Sequence, residues 1–296
     1  MKKNRSSRIG DKAFDAGIYL ICGVIALVCL YPLYLVLINS FSDPFAVARG
    51  EVVILPKGLS LDAYVEAFKN GDIMRGYANS LFYLIFGVAI NMVLTIPAAY
   101  VLSKQHMKGR NAIMMIIVFT MYFSGGLVPH YLMIRGLNLI NTRAVVLLEG
   151  AVVTTNLIIA RTFFASSIPR ELEEAAEIDG CSGPQVFFKI VLPLSKAMLG
   201  VILLYYAVGR WNNYTSSLYY QPTAEELHSL QMVIKKMVLQ MQSAANAESE
   251  LAEYYANLFN QIKYSVIVIA SLPLLVLYPF LQKYFEKGVM IGSVKG

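Results

Sequence analysis

The sequence predicts an all-α membrane protein with six transmembrane helices, and three observations predict it. Apolar residues fill 57% of the 296 positions and charged residues only 15%, against about 45–50% and about 25% in soluble domains. The apolar excess is gathered into runs that reach the roughly 20 residues a bilayer crossing needs. The basic residues are divided unevenly among the segments between those runs.

The runs place the helices in order. No charged side chain occurs between Asp15 and Asp43, or within residues 76–103, 111–134 and 264–282. Two further runs carry one charge each, Glu149 in 144–160 and Arg210 in 197–220. Backbone amides in lipid must be bonded within the chain, so each run is read as a helix. The first is longer than the core of a secretory signal and ends in no small-x-small cleavage site, so it is expected to remain as an anchor.

With the N-terminus inside, the inner segments 1–15, 104–110, 161–196 and 283–296 hold 15 basic residues in 72 positions. The outer segments 40–75, 135–143 and 221–263 hold 9 in 88. Basic residues accumulate on the cytoplasmic side, which puts both termini there. The expected organisation is a cytoplasmic segment 1–15, a six-span domain 16–282 and a cytoplasmic tail 283–296, embedded in membrane lipid. The net charge of +6 is then a signal of topology. No soluble face gathers the basic residues that a nucleic-acid partner would require.

No catalytic or metal-binding constellation is present. Cys22 and Cys29 lie in the first run and Cys181 in an inner loop, without disulfide or metal spacing. His106, His130 and His228 are isolated. There is no glycine-rich phosphate loop ending in Lys-Ser or Lys-Thr. Glu149 is the one acid inside a run, so the string of intramembrane carboxylates expected of a proton-coupled carrier is absent. Uphill transport by such a chain requires a separate subunit that hydrolyses ATP.

The inner segment 161–196 is the most informative. It contains Ser-Ile-Pro-Arg-Glu-Leu-Glu-Glu-Ala-Ala-Glu-Ile-Asp-Gly, beginning at Ser167. Pro169 suits a first helical position, where its missing N–H is no loss. Glu171, Glu173 and Glu174 suit the first turn electrostatically. Ala175 and Ala176 favour helix and leave a small face, and Gly180 suits a left-handed helix end. Pro184 is expected to start a second short helix and Pro193 to break it. The spacing Glu174-Ala175-Ala176, three residues, Gly180, nine residues, Ile190, one residue, Leu192-Pro193 resembles the EAA signature of binding-protein-dependent ABC importer permeases at every defined position.

The resemblance continues along most of the chain. Asn79-Ser80, Ala99-Tyr100 with Ser103, and Trp211-Asn212 are similar to the carbohydrate branch of that family. Phe123-Ser124-Gly125-Gly126 with Pro129, and the ending Gly292-Ser293-Val294-Lys295-Gly296, are similar to polysaccharide and complex-oligosaccharide permeases. The resemblance implies a permease subunit of a prokaryotic inner-membrane sugar importer that is not itself an enzyme. Its implied partners are a second, related permease subunit, two ATPase subunits that bind the ATP and Mg, and an extracytoplasmic sugar-binding protein. In the family the EAA loop docks on the ATPase, here through Glu174, Ala175, Ala176, Gly180, Ile190, Leu192 and Pro193. A tail similar to Val294, Lys295 and Gly296 reaches the ATPase in maltose-type relatives.

Candidates for the solute pathway come from the charged runs. Arg210, Trp211, Asn212, Asn213 and Tyr214 supply the aromatic faces and amides that a sugar's apolar and hydroxyl surfaces require. Trp, Tyr and Arg also populate membrane interfaces without contacting solute. Glu149 either accepts hydrogen bonds from solute or pairs with Arg210 or Arg143; pairing is the expected role. The spacing of Leu230, Val233, Ile234, Met237, Val238 and Met241 predicts an amphipathic helix in the outer segment.

Overall fold

The computed structural model describes residues 5–244, 262–276 and Pro279. Every regular element among them is helical. The described residues form two compact units, one from residues 5–70, 236–244 and 262–270 and the other from residues 71–235, 271–276 and Pro279.

In the first unit α1, Arg5–Ser40, is a 36-residue helix whose apolar stretch Phe14–Ser40 is almost wholly exposed. At 1.5 Å per residue that stretch rises about 40 Å, more than a bilayer's roughly 30 Å hydrocarbon core. Asp43 caps α2, Pro44–Ala48, by accepting from the amides of Phe45 and Ala46 at 2.9 and 3.2 Å. Helix α3, Asp62–Lys69, returns Tyr64 to the end of α1, where its hydroxyl donates to Ser40 Oγ at 2.8 Å and its ring stacks on Phe41. Ile38, Val47 and Val52 form the small core of this unit, with Tyr264 packed against it.

The second unit is built on α4, Gly71–Ser103. Its buried residues include Tyr83, Gly87, Asn91, Thr95, Ala99 and Ser103 at steps of four. That spacing puts one stripe of small and polar groups along a single face. Small residues let neighbouring membrane helices approach closely and polar ones bond across the gap. Two helices use the stripe: α8, Thr154–Ser167, and α12, Lys196–Trp211. The main apolar core joins Ile96, Ala99, Leu102, Leu157, Phe164, Val191, Ile202 and Tyr206.

Three runs expected to be unbroken spans are interrupted. Residues 111–134 fall on α5, Arg110–Tyr122, and α6, Leu127–Gly136, which meet at 116°. The bend lies at Gly126, whose φ is +86°. Residues 144–160 divide into α7, Arg143–Leu148, and α8, separated by residues 149–153 with Gly150 at φ +65°. Residues 197–220 divide at Asn212–Tyr214 into α12 and α13, Thr215–Tyr220. Among the described residues two single helices are long and apolar enough to cross a membrane, Phe14–Ser40 and Gly71–Ser103. The count rises to four if each of two bent pairs forms one span. The helical membrane architecture stands, with spans far less regular than the apolar runs suggest.

The short helices gather at the first half of α4, where Tyr83, Ile134, Val145, Val146 and Tyr220 share a second core. Asn79 Nδ2 donates to the carbonyls of Glu226 and His228 at 2.8 and 3.1 Å, and Ser80 Oγ accepts from the amide of Leu230 at 2.9 Å. The expected amphipathic helix is present as Leu230–Ala244, and Leu230 packs closely on Gly76.

Candidate functional site

The segment singled out by its acidic and alanine-rich pattern folds into a helix with a sharp elbow. Helix α9 spans Arg170–Ile178, with Glu171 and Glu173 in its first turn. Pro169, expected as its first helical residue, instead caps it in an extended conformation at φ −62° and ψ 135°. The far end closes as a Schellman motif: Cys181 N–H donates to Ala176 O at 2.9 Å and Gly180 N–H to Glu177 O at 3.0 Å. Gly180 holds φ +83°, the left-handed region where glycine carries no penalty. Ser182 then opens α10, Gly183–Val186, in a reciprocal capping box with Gln185, and Pro184 lies in its first turn as expected.

The helix does not break at Pro193. It passes through a π-turn, Phe187–Val191, in which Leu192 N–H reaches back to Phe187 O, and α11, Leu192–Leu194, carries it past the proline. The wider turn shifts the register just before the residue that lacks an N–H. The chain turns instead at buried Ser195, whose hydroxyl donates to Val191 O at 2.7 Å, and α12 leaves at 83°. Ile190 and Leu192 pack on the main core while Pro193 is exposed.

Helix α9 therefore has two faces. Ala176 is buried in the main core and Glu173 is largely covered. Leu172, Glu174, Ala175 and Ile178 are exposed, Ile178 at 87%. Leu172, Ala175 and Ile178 follow at steps of three, an apolar row with small Ala175 at its centre.

The covered face is fixed by a contact with no signature in the sequence. Lys104, the first residue after α4, forms an ion pair with Glu173, and its ammonium lies 4.3 Å from the centre of the Tyr100 ring. Burial acts to lower the Lys104 pKa, but bonding to Glu173 and Tyr100 and the Glu173 charge outweigh it and hold the pKa above its usual value. The lysine is therefore charged throughout the physiological range. Beside the pair lies a cavity of about 380 Å³, bordered by Arg110, Arg161, Phe164, Ile168, Arg170 and Glu177.

The second candidate group is divided by the structure. Arg210 is buried, and its guanidinium addresses the break between α7 and α8. It donates to Val146 O, to Leu147 O at 2.9 Å and to Asn91 Oδ1 at 2.9 Å. Asn91 in turn donates to Gly150 O and Ala151 O at 2.9 and 2.7 Å. Tyr206 hydroxyl accepts from Val153 N–H at 3.1 Å and lies 2.6 Å from Thr95 Oγ1. Irregular backbone among apolar helices is tolerated where other groups satisfy it, and these side chains do so. Gly87 makes room for the arginine: a Cβ there would stand 2.9 Å from Arg210 Nε.

Trp211 is buried, edge-on to Tyr77. Asn213 donates to Ser216 Oγ at 2.7 Å, and the Ser216 hydroxyl donates to the Glu149 carboxylate. The expected pairing of Glu149 with Arg210 or Arg143 is corrected: among the described residues Glu149 forms no ion pair within 4 Å, and Arg143 donates to Asn79 Oδ1 at 3.1 Å. Asn212 and Tyr214 are exposed, and Lys235 Nζ lies 4.4 Å from the centre of the Tyr214 ring. Val294, Lys295 and Gly296 lie outside the described residues.

Residues 71–291 match the family described as binding-protein-dependent transport system inner membrane component. Protein LplC of Bacillus subtilis (strain 168) is 39% identical over 96% of this chain and 96% of its own length. The polygalacturonan/rhamnogalacturonan transport system permease protein YtcP of the same organism is 38% identical, over 97% of this chain and 99% of its own. Among solved structures, a chain of a bacterial ABC transporter involved in the import of the acidic polysaccharide alginate is 34% identical. It superposes with a TM-score of 0.84, covering 96% of this chain and 99% of that one.

Proposed function

The chain belongs to the family of binding-protein-dependent transport system inner membrane components, and from that premise we propose that it is a permease subunit of an ATP-driven importer of oligosaccharides or polysaccharide fragments. The observation that carries this reading is end-to-end similarity above 30% to YtcP and to a chain of the alginate transporter. The first is a transport permease for polygalacturonan and rhamnogalacturonan and the second takes part in alginate import. Galacturonan and alginate are both acidic polymers, so the solute class is an oligosaccharide bearing uronic acids.

The working unit is a complex. This chain pairs with a second, related permease, two ATPase subunits bind ATP and Mg, and a sugar-binding protein delivers solute from outside. The chain crosses the membrane six times with both termini in the cytoplasm, and the interrupted runs count as single passes. Helix α9 is the surface offered to the ATPase. Its exposed row of Leu172, Ala175 and Ile178 suits a shallow groove, and the elbow at Gly180 sets its angle to α10. Val294, Lys295 and Gly296 add a second contact with the ATPase. Closure of the ATPase dimer on ATP moves α9, and the permease rocks as packed bodies between inward-open and outward-open arrangements.

Within this reading Glu149, Asn212, Asn213 and Tyr214 border the solute pathway, while Arg210 and Trp211 hold its wall. Uptake competition tests the solute class. Whole cells carrying the complete importer should lose uptake of a labelled uronate oligosaccharide when unlabelled uronate oligomers are added, and not when peptides or amino acids are. Competition by peptides alone would assign the chain to a different solute.

A further inference from the structure

We propose that Lys104 is a positioning residue for energy coupling: by gripping Glu173 it makes α9 move as one body with α4, so that displacement of α9 is delivered to α4. The inference rests on the importer reading above and adds to it the route by which work enters the spans.

Helix α9 has few attachments. Gly180 lets the chain turn sharply at its C-terminal end, and Pro169 caps its N-terminal end without a side-chain hydrogen bond. Between these ends the covered face offers Ala176 and Glu173. An alanine methyl in an apolar cluster excludes water but resists sliding weakly, because dispersion contacts are small and undirected. A hydrogen-bonded ion pair is directional. Its side chains are only 19% exposed for Lys104 and 16% for Glu173, so water competes poorly for it and salt screens it little.

The lysine is also well anchored at its own end. It follows α4 without a linker, and its N–H donates to Val101 O at 3.2 Å. Its ammonium rests on the Tyr100 ring. That ring packs edge-on against Phe164 of α8 and lies 4.9 Å from the Phe187 ring of the π-turn. Arg161 of α8 ties to the same helix end by donating to Leu102 O at 3.3 Å. Lys104 thus stands where α4, α8 and the segment after α9 already pack together, and Glu173 adds α9 to that node. Further along α4, Asn91 holds the break between α7 and α8, so a shift of α4 bears directly on the irregular backbone.

The test uses the reconstituted complex of this chain with its permease partner, ATPase and binding protein, reading sugar taken up per ATP hydrolysed. Lys104→Ala and Glu173→Gln are each expected to lower that ratio about 3- to 10-fold, the scale of coupling changes away from the ligand sites, while ATP hydrolysis and assembly persist. Lys104→Arg, which keeps a cation over the tyrosine, is expected to retain at least about half of the ratio. A merely structural ion pair would lower uptake and hydrolysis together and leave the ratio at the wild-type value; that result overturns the proposal, as does a full ratio in Lys104→Ala. A wild-type complex that assembles but shows no ATP-driven sugar uptake overturns the importer reading itself, and this inference with it.

Discussion

Arg210→Met is expected to destabilise the permease by about 3–5 kcal/mol, from leaving three buried acceptors without their donor at about 1–3 kcal/mol each, and to abolish uptake through loss of folded subunit. The side chain is buried and donates to Val146 O, Leu147 O and Asn91 Oδ1. A methionine fills much of the volume but leaves these acceptors without a donor, in surroundings where water does not replace it. Arg210→Lys should fail as well, because one ammonium cannot reproduce a planar fork that reaches a side-chain amide and two successive carbonyls. Gly87→Ala should reproduce part of the defect by pressing a methyl against Arg210 Nε. The measurement is the thermal midpoint of the purified complex in detergent together with the amount of subunit in the membrane. A methionine variant at the wild-type midpoint would mean that the break between α7 and α8 is held by something else.

Gly180→Pro is expected to leave membrane levels near normal while abolishing association with the ATPase and uptake. Gly180 sits at φ +83° and its amide donates to Glu177 O at 3.0 Å. Proline fixes φ near −65° and has no N–H, so both features of the helix end are lost and α9 leaves its angle to α10. Nothing lies within 4 Å of a Cβ built on this glycine. Strain in Gly180→Ala is therefore confined to the backbone, about 1–2 kcal/mol, and that variant should keep part of its activity. Recovery of tagged ATPase with the membrane subunit, measured beside uptake, separates lost docking from lost folding. Full transport by the proline variant would remove α9 from the coupling route.

The legible features in the sequence were those set by neighbouring residues. Gly180 at a helix end, Pro184 in a first turn and glutamates near the start of α9 are local signals, and the chain folds there as they indicate. Proline was less decisive. Pro169 caps α9 from outside, and Pro193 is carried inside a helix because a π-turn resets the register ahead of it. The interrupted spans were illegible for a related reason. With one charge apiece, residues 144–160 and 197–220 still read as apolar runs, yet the break in the first persists because distant side chains bond the freed backbone. Asn91 and Tyr206 do this from α4 and α12. Arg210, read as a solute contact or a headgroup anchor, belongs to the same network, and Glu149 is bonded by Ser216 rather than an arginine. Gly125-Gly126 near Pro129 was a local hint of the bend between α5 and α6. No comparable hint marks the joining of Lys104 to Glu173, two residues 69 positions apart.

This chain should pass sugar through the membrane only when an ATPase drives it. The direct measurement places the complete complex in liposomes with ATP and Mg trapped inside, and the binding protein with a labelled uronate oligosaccharide outside. Label should accumulate inside against its gradient, and omission of ATP, of the ATPase subunits or of the binding protein should each reduce uptake to background. Equal accumulation without ATP, or by liposomes that contain this chain alone, would mean that the chain is not the permease of an ATP-driven importer.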